Sequence, residues 1–135
     1  MSKLLVDTNI LIYSKDSSSV FHDFAERIIT SDAKLFTTSK NLSEYYAVVT
    51  KGNSPLLSPL EALKDISEFV SVLEVWYPSP ISHEKLMQLA TKYQPKGLKI
   101  HDLEIAAICL VNGIDTIATV NKSDFQNIEG LTIVV

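Results

Sequence analysis

The sequence predicts an α/β sandwich built on a mainly parallel sheet of five short strands. Two observations carry the prediction. Short apolar or β-branched segments recur along the whole chain, and patterns with helical spacing lie between them. The segments 3–6 (KLLV), 34–38 (KLFTT), 73–77 (LEVWY), 115–120 (DTIATV) and 132–135 (TIVV) read as the strands. No repeat, low-complexity tract or linker divides the 135 residues, which are expected to form one domain, 1–135, long enough for a real core.

The helices follow in order. Val20, Phe21, Phe24, Ala25, Ile28 and Ile29 fall on one helical face. Leu42, Tyr46 and Val49 begin a second such face after "TTSKN". Ser58-Pro59-Leu60-Glu61 is a capping box with proline at the first helical position, and opens a helix to about Val70. Ser82 is expected to cap a helix carrying Leu86, Leu89, Ala90 and Tyr93, which ends at "QPKG". The run "HDLEIAAICLVNG" has an acidic first turn, an apolar body and Gly113 at the C′ position, and reads as a buried helix.

Composition narrows the class without naming a function. Hydrophobic residues make up 46% and charged residues 21%, which describes a globular chain rather than a disordered one. No apolar run approaches the ~20 residues needed to cross a bilayer, and the apolar part of "MSKLLVDTN" is too short for a signal peptide. The single Cys109 excludes an internal disulfide and any multi-cysteine metal site. These features favour the cytosol. A net charge of −4 gives no global attraction for nucleic acid, but a local basic patch or a bound divalent ion would reverse the sign locally.

In such a sheet, functional groups gather beyond the carboxyl ends of the strands. Asp7 directly follows the first strand, where an ionised carboxylate beside a buried run is costly unless paired. Glu44 lies in the early turns of the helix after the second strand. Asp102 lies in the first turn of the helix leading into the fourth, and Asp124 follows that strand. Topology therefore sets four acids on one rim. Each alone has an ordinary role as a cap, a turn former or a solvated surface residue; their convergence is what points to chemistry. Such a cluster repels itself unless cations neutralise it. Hard carboxylate oxygens suit Mg2+ or Mn2+, and metal-assisted hydrolysis of a phosphodiester follows. Asp7 is accordingly better read as a metal ligand than as a cap.

Read together, "LLVDTNILIYS", "TTSKNLSEYYAVVTKG", "KIHDLEIAAICLVNG" and "DTIATVNKSDF" resemble the PIN-domain nucleases, and within them the VapC-type toxins of toxin–antitoxin pairs. The resemblance covers essentially the whole chain. It implies a three-layer α/β fold and a metal-dependent endoribonuclease site. Asp7 and Asp102 would be the main metal ligands, with Glu44 joining them or orienting the attacking water. Asp124 would complete the set, with Asn121 in support, because some members carry an acid at the Asn121 position and others at the Asp124 position. Thr8 and Asn9 would hydrogen-bond the acids. The resemblance further implies an RNA substrate, a homodimer, and a small VapB-like antitoxin held in an apolar groove. The helices around 20–30 and 42–50 are candidates to supply that groove.

Lys40, Lys51, Lys96, Lys99 and Lys122 are candidates for gripping RNA, since each lies in or beside a segment feeding the acidic rim, and His101 adjoins Asp102. Tyr45 and Tyr46 are expected to pack, Tyr46 being the better core candidate. Rival readings fare worse. A haloacid-dehalogenase-type phosphatase needs a second Asp two residues after the first, where Asn9 stands. A two-component receiver needs an Asp ending its third strand, and "LEVWYPSP" has none. The stronger alternative is a PIN-like module that binds RNA or protein without cutting.

Overall fold

The structure is a computed structural model describing residues 2–134. Met1 and Val135 lie outside the described residues, and with them the final position of the strand expected over 132–135. In chain order the elements are β1 (Lys3–Val6), α1 (Thr8–Ser14), α2 (His22–Ile29), β2 (Lys34–Thr38), α3 (Ser39–Thr50), α4 (Pro59–Val72), β3 (Glu74–Trp76), α5 (Pro80–Tyr93), α6 (Lys99–Val111), β4 (Thr116–Ala118) and β5 (Thr132–Val134). A single 3-10 turn, Lys122–Asp124, follows β4. Among the described residues no helix is long and apolar enough to cross a membrane.

The five strands form an all-parallel sheet in the order β3-β2-β1-β4-β5. β1 is central, with Leu5 opposite Phe36 of β2 on one side and Ile117 of β4 on the other. From β1 the chain steps outward to β2 and β3, then crosses β1 to add β4 and β5. Right-handed crossovers put the connecting helices on opposite faces when the direction of winding reverses. Two cores result. Leu4, Val6 and Leu35 meet α1 to α4 on one face, while Leu5, Phe36 and Ile117 meet α5, α6 and the segment after β4 on the other. Because both faces are covered, β1 is apolar without alternation, with Leu4, Leu5 and Val6 all buried.

Several expected details shift. α1 starts directly after Asp7, in a stretch that reads from sequence only as strand-end turn followed by apolar residues. Val20 and Phe21 precede α2 and are exposed, so that helix buries Ala25 and Ile28 instead. In α3 the buried face is Asn41, Tyr45 and Val49, which corrects the choice of Tyr46. Tyr45 meets Phe69 edge-on with ring centroids 5.0 Å apart, and its hydroxyl donates to Asp65 at 2.6 Å. Ser79, not Ser82, caps α5. Pro80 takes the first helical position, and Ser82 is the buried third-position partner of the capping box. The box at Ser58 and Glu61 stands as expected, with the helix running on to Val72. Gly113 follows the C-cap of α6 at φ +73°, a backbone conformation that glycine adopts freely.

Candidate active site

The winding reverses between β1 and β4, and at such a switch point the loops beyond the two strands part to leave a crevice. Asp7 ends β1 there. Its N–H donates to the Ala118 carbonyl (3.1 Å), which continues the ladder, while its side chain turns to cap α1. The cap and ligand readings of this residue are therefore not exclusive: one residue position serves the helix and faces the crevice.

Asp7 is only 7% exposed, and four uncharged donors hold its carboxylate. Oδ1 accepts from the Thr8 N–H (2.9 Å) and Asn41 Nδ2 (3.1 Å). Oδ2 accepts from the Thr119 hydroxyl (2.8 Å) and Asn9 Nδ2 (3.3 Å). Each donor is itself fixed. Asn41 Nδ2 also donates to Thr8 Oγ1 (2.9 Å), and its Oδ1 accepts from the Thr38 hydroxyl (2.7 Å) within the box that caps α3. Asn9 Nδ2 donates to Thr119 Oγ1 (2.9 Å), and its Oδ1 accepts from the Val120 N–H (3.1 Å). Asn121 joins through its backbone, whose N–H donates to Thr119 Oγ1 (3.0 Å), while its side chain is exposed. Burial nonetheless dominates, so the Asp7 pKa lies above the ordinary carboxylate value; the bonds from Thr119 and Thr8 oppose this, and the charges of Asp102 and Asp124 add to it.

The other acids stand around the same crevice. Glu44, in the second turn of α3, opens to solvent on one side. Burial of its inner flank is still the largest cause raising its pKa, followed by the charges of Asp7 and Asp102, with His101 opposing. Asp102, in the first turn of α6, is raised by burial and then lowered in part by Lys99, while Asp124 raises it further. The charge of Asp124 thus reaches the three other carboxylates across the rim.

The lysines divide. Lys99 Nζ lies 3.2 Å from Asp102 Oδ2 and 3.6 Å from Asp124 Oδ1, and donates to the Asp124 carbonyl at 2.7 Å. Lys40 pairs with Glu104 at 2.9 Å. Lys96 and Lys122 are exposed beside the rim. Lys51 is not brought there: it follows the 12 residues of α3, which leads away from the rim, roughly 18 Å at 1.5 Å per residue. Sequence reasoning passed over Asn41 and Thr119, both fully buried. The available signal was a polar residue at the carboxyl end of an apolar strand and another three positions before Glu44.

The donor set fits a hard divalent ion: oxygen ligands, excess negative charge, and a buried carboxylate already held in place. Among the described residues no three Asp, Glu, His or Cys side chains stand close enough to enclose an ion. Water and substrate oxygens would have to complete its coordination, which is the usual habit of Mg2+.

A PIN domain sequence profile matches residues 4–131. Comparison with curated protein sequences finds no significant match. Among solved structures the chain is similar to VapBC2 from Rickettsia felis bound to a DNA fragment from its promoter, at 20% identity and a TM-score of 0.75, covering 98% of this chain and 97% of that one. It is similar to DNA-bound VapBC from Salmonella typhimurium, at 25% identity and 0.72, covering 99% and 98%. It also resembles VapC20 from Mycobacterium tuberculosis, a toxin that cleaves the sarcin-ricin loop, at 14% identity and 0.73, covering 96% and 98%.

Proposed function

The chain belongs to the PIN-domain family, and from that premise we infer that it is a divalent-metal-dependent endoribonuclease, the toxin of a VapBC-type pair. One observation carries the reading: the fold gathers Asp7, Glu44, Asp102 and Asp124 at the switch-point crevice, where Asp102 and Asp124 raise the pKa of Asp7, and Asp7, Asp102 and Asp124 raise that of Glu44. Similarity to VapC20, a toxin that cuts the sarcin-ricin loop, supports RNA as the substrate.

Asp7 and Asp102 would hold Mg2+ or Mn2+, with Glu44 and Asp124 near. When bound, the ion supplies positive charge to the scissile phosphate and acidity to the attacking water. The protein's own groups do the rest. Asp7 is aimed by its neutral donors, and the longest of its hydrogen bonds, from Asn9, is the one most easily exchanged, because Asn9 keeps Thr119 and Val120 as partners. Glu44, whose pKa burial and the neighbouring acids raise above the ordinary carboxylate value, accepts the proton of the attacking water. Lys96 and Lys122, exposed at the rim, meet the flanking phosphates.

A VapB-like antitoxin and a homodimer complete the proposal. A groove of about 440 Å³ between α1, α3 and α4, with Ile12, Val49, Leu56 and Leu57 as its apolar lining and Lys15, Asp16 and Asp65 among its polar lining, supports docking of an amphipathic peptide segment. The structures of VapBC2 from Rickettsia felis and VapBC from Salmonella typhimurium support the partner. Leu63 and Tyr77, exposed on a second apolar cleft, support a self-contact.

The test is cleavage of RNA by purified, antitoxin-free protein. Cutting in Mg2+ or Mn2+, blocked by EDTA and lost in Asp102→Asn and Glu44→Gln, is expected. A folded protein that binds RNA but cuts none in either metal would favour the non-cutting module instead.

A further inference from the structure

We propose that Lys99 is a built-in cation of the rim, occupying the place between Asp102 and Asp124 that a second divalent ion would need, so that the site works with one metal ion. The inference rests on the reading of the rim as a metal site. A lysine ammonium is a compact charge with three donors and no acceptor. Here it faces three oxygens: the Asp124 carbonyl at 2.7 Å, Asp102 Oδ2 at 3.2 Å and Asp124 Oδ1 at 3.6 Å. Two of these are carboxylate oxygens on separate elements, one on α6 and one on the turn after β4. In two-metal nucleases the ions sit about 3.5–4 Å apart and share carboxylates between them. Any ion bridging Asp102 and Asp124 would have to share their oxygens with a fixed positive charge.

Contacts elsewhere on the rim point the same way. The Asp7 carboxylate receives only uncharged hydrogen bonds, so its charge remains available to an external ion. Lys99 is in direct contact with the far pair, whereas Lys40 is drawn to Glu104, and His101, which also acts on Asp102, has its Nδ1 3.9 Å from that same Glu104. Lys99 pins the turn after β4 to the start of α6 and sets the spacing of the third and fourth acids. Its role is therefore that of a positioning residue.

Mn2+ uptake by the full chain tests this, read from the EPR signal of the free ion. Lys99→Met keeps the bulk of the side chain and removes the charge. It is expected to bind one Mn2+ more per chain than wild type, and the gain should vanish in Lys99→Met/Asp124→Asn. Lys99→Arg should match wild type. In EDTA, Lys99→Met should melt lower than wild type, and Mn2+ should raise its Tm by more. Lys99→Gln, a second uncharged variant, should repeat the pattern. Equal Mn2+ uptake by wild type and both uncharged variants overturns the inference. The metal reading itself stands or falls separately, on whether wild type binds Mn2+ that Asp7→Asn fails to bind.

Discussion

The two poles of the acidic rim solve the same electrostatic problem in opposite ways. At the buried pole, Asp7 is held by Thr8, Asn9, Asn41 and Thr119, all uncharged donors. At the open pole, Asp102 and Asp124 are bound to Lys99, and neighbouring Glu104 to Lys40. Neutral dipoles fix a carboxylate's direction without cancelling its charge; an ammonium cancels the charge and leaves direction looser. A half-exposed pair can afford the second arrangement because water shares the load. The first pole is built to aim, the second to balance.

Substitution should separate the poles by size of effect. Asp7→Asn keeps the shape but removes the charge; RNA cleavage should fall about a thousandfold or more, since a metal ion supplies several kcal/mol of transition-state stabilisation. Asn41→Ala strips two donated bonds from the buried network and leaves the Thr38 hydroxyl and N–H without the acceptor they share. It should cost about 2–3 kcal/mol in urea unfolding and lower cleavage roughly 10–100-fold, the usual effect of losing a group that orients a ligand. Thr119→Val is close in volume and removes one hydroxyl that donates to Asp7 and accepts from Asn9 and the Asn121 N–H. A loss of about 1–2 kcal/mol is expected, with a cleavage defect smaller than that of Asn41→Ala. Lys40→Ala, at the open pole, breaks a partly exposed ion pair and should change stability by no more than about 1 kcal/mol. If it matched Asn41→Ala, the contrast between the poles would collapse.

Acidity offers a further way to sharpen the comparison. Asp7 has its pKa raised in the folded chain above the ordinary value of 3.8. Between those two values the folded chain holds a proton that the unfolded chain has released. Stability from this group is thus present at acid pH and is lost as pH rises through the raised pKa. In EDTA, the Tm of wild type relative to Asp7→Asn should therefore be higher at pH 5 than at pH 7. A relative Tm that rises with pH would mean that the carboxylate is stabilised as an anion, contrary to the burial seen here.

Much of this layout was legible from sequence, for physical reasons. Strands covered on both faces must be apolar throughout, so KLLV and its companions stood out. Acids that follow strand ends declare their own rim once the sheet is parallel. Other features depend on contacts that spacing does not encode. Tyr45 and Tyr46 are adjacent on a helix, and only the position of Phe69 and Asp65 decides which is buried. Asn41 looks like a turn former in "TTSKN" until Asp7 is known to lie above it. A lysine's neighbours are likewise silent in sequence: spacing makes Lys99 a candidate for gripping RNA without revealing that it is engaged with two acids, and Lys51 is carried away by the length of its helix.

On this reading the buried pole presents an aimed, uncompensated carboxylate to one metal ion. Anomalous scattering from a crystal soaked in Mn2+ tests it most directly. One peak is expected, within bonding distance of the Asp7 and Asp102 carboxylates, with Lys99 still seated between Asp102 and Asp124. A peak bridging Asp102 and Asp124 with Lys99 displaced, or no peak at Asp7 in crystals of protein that cleaves RNA in Mn2+, would contradict it.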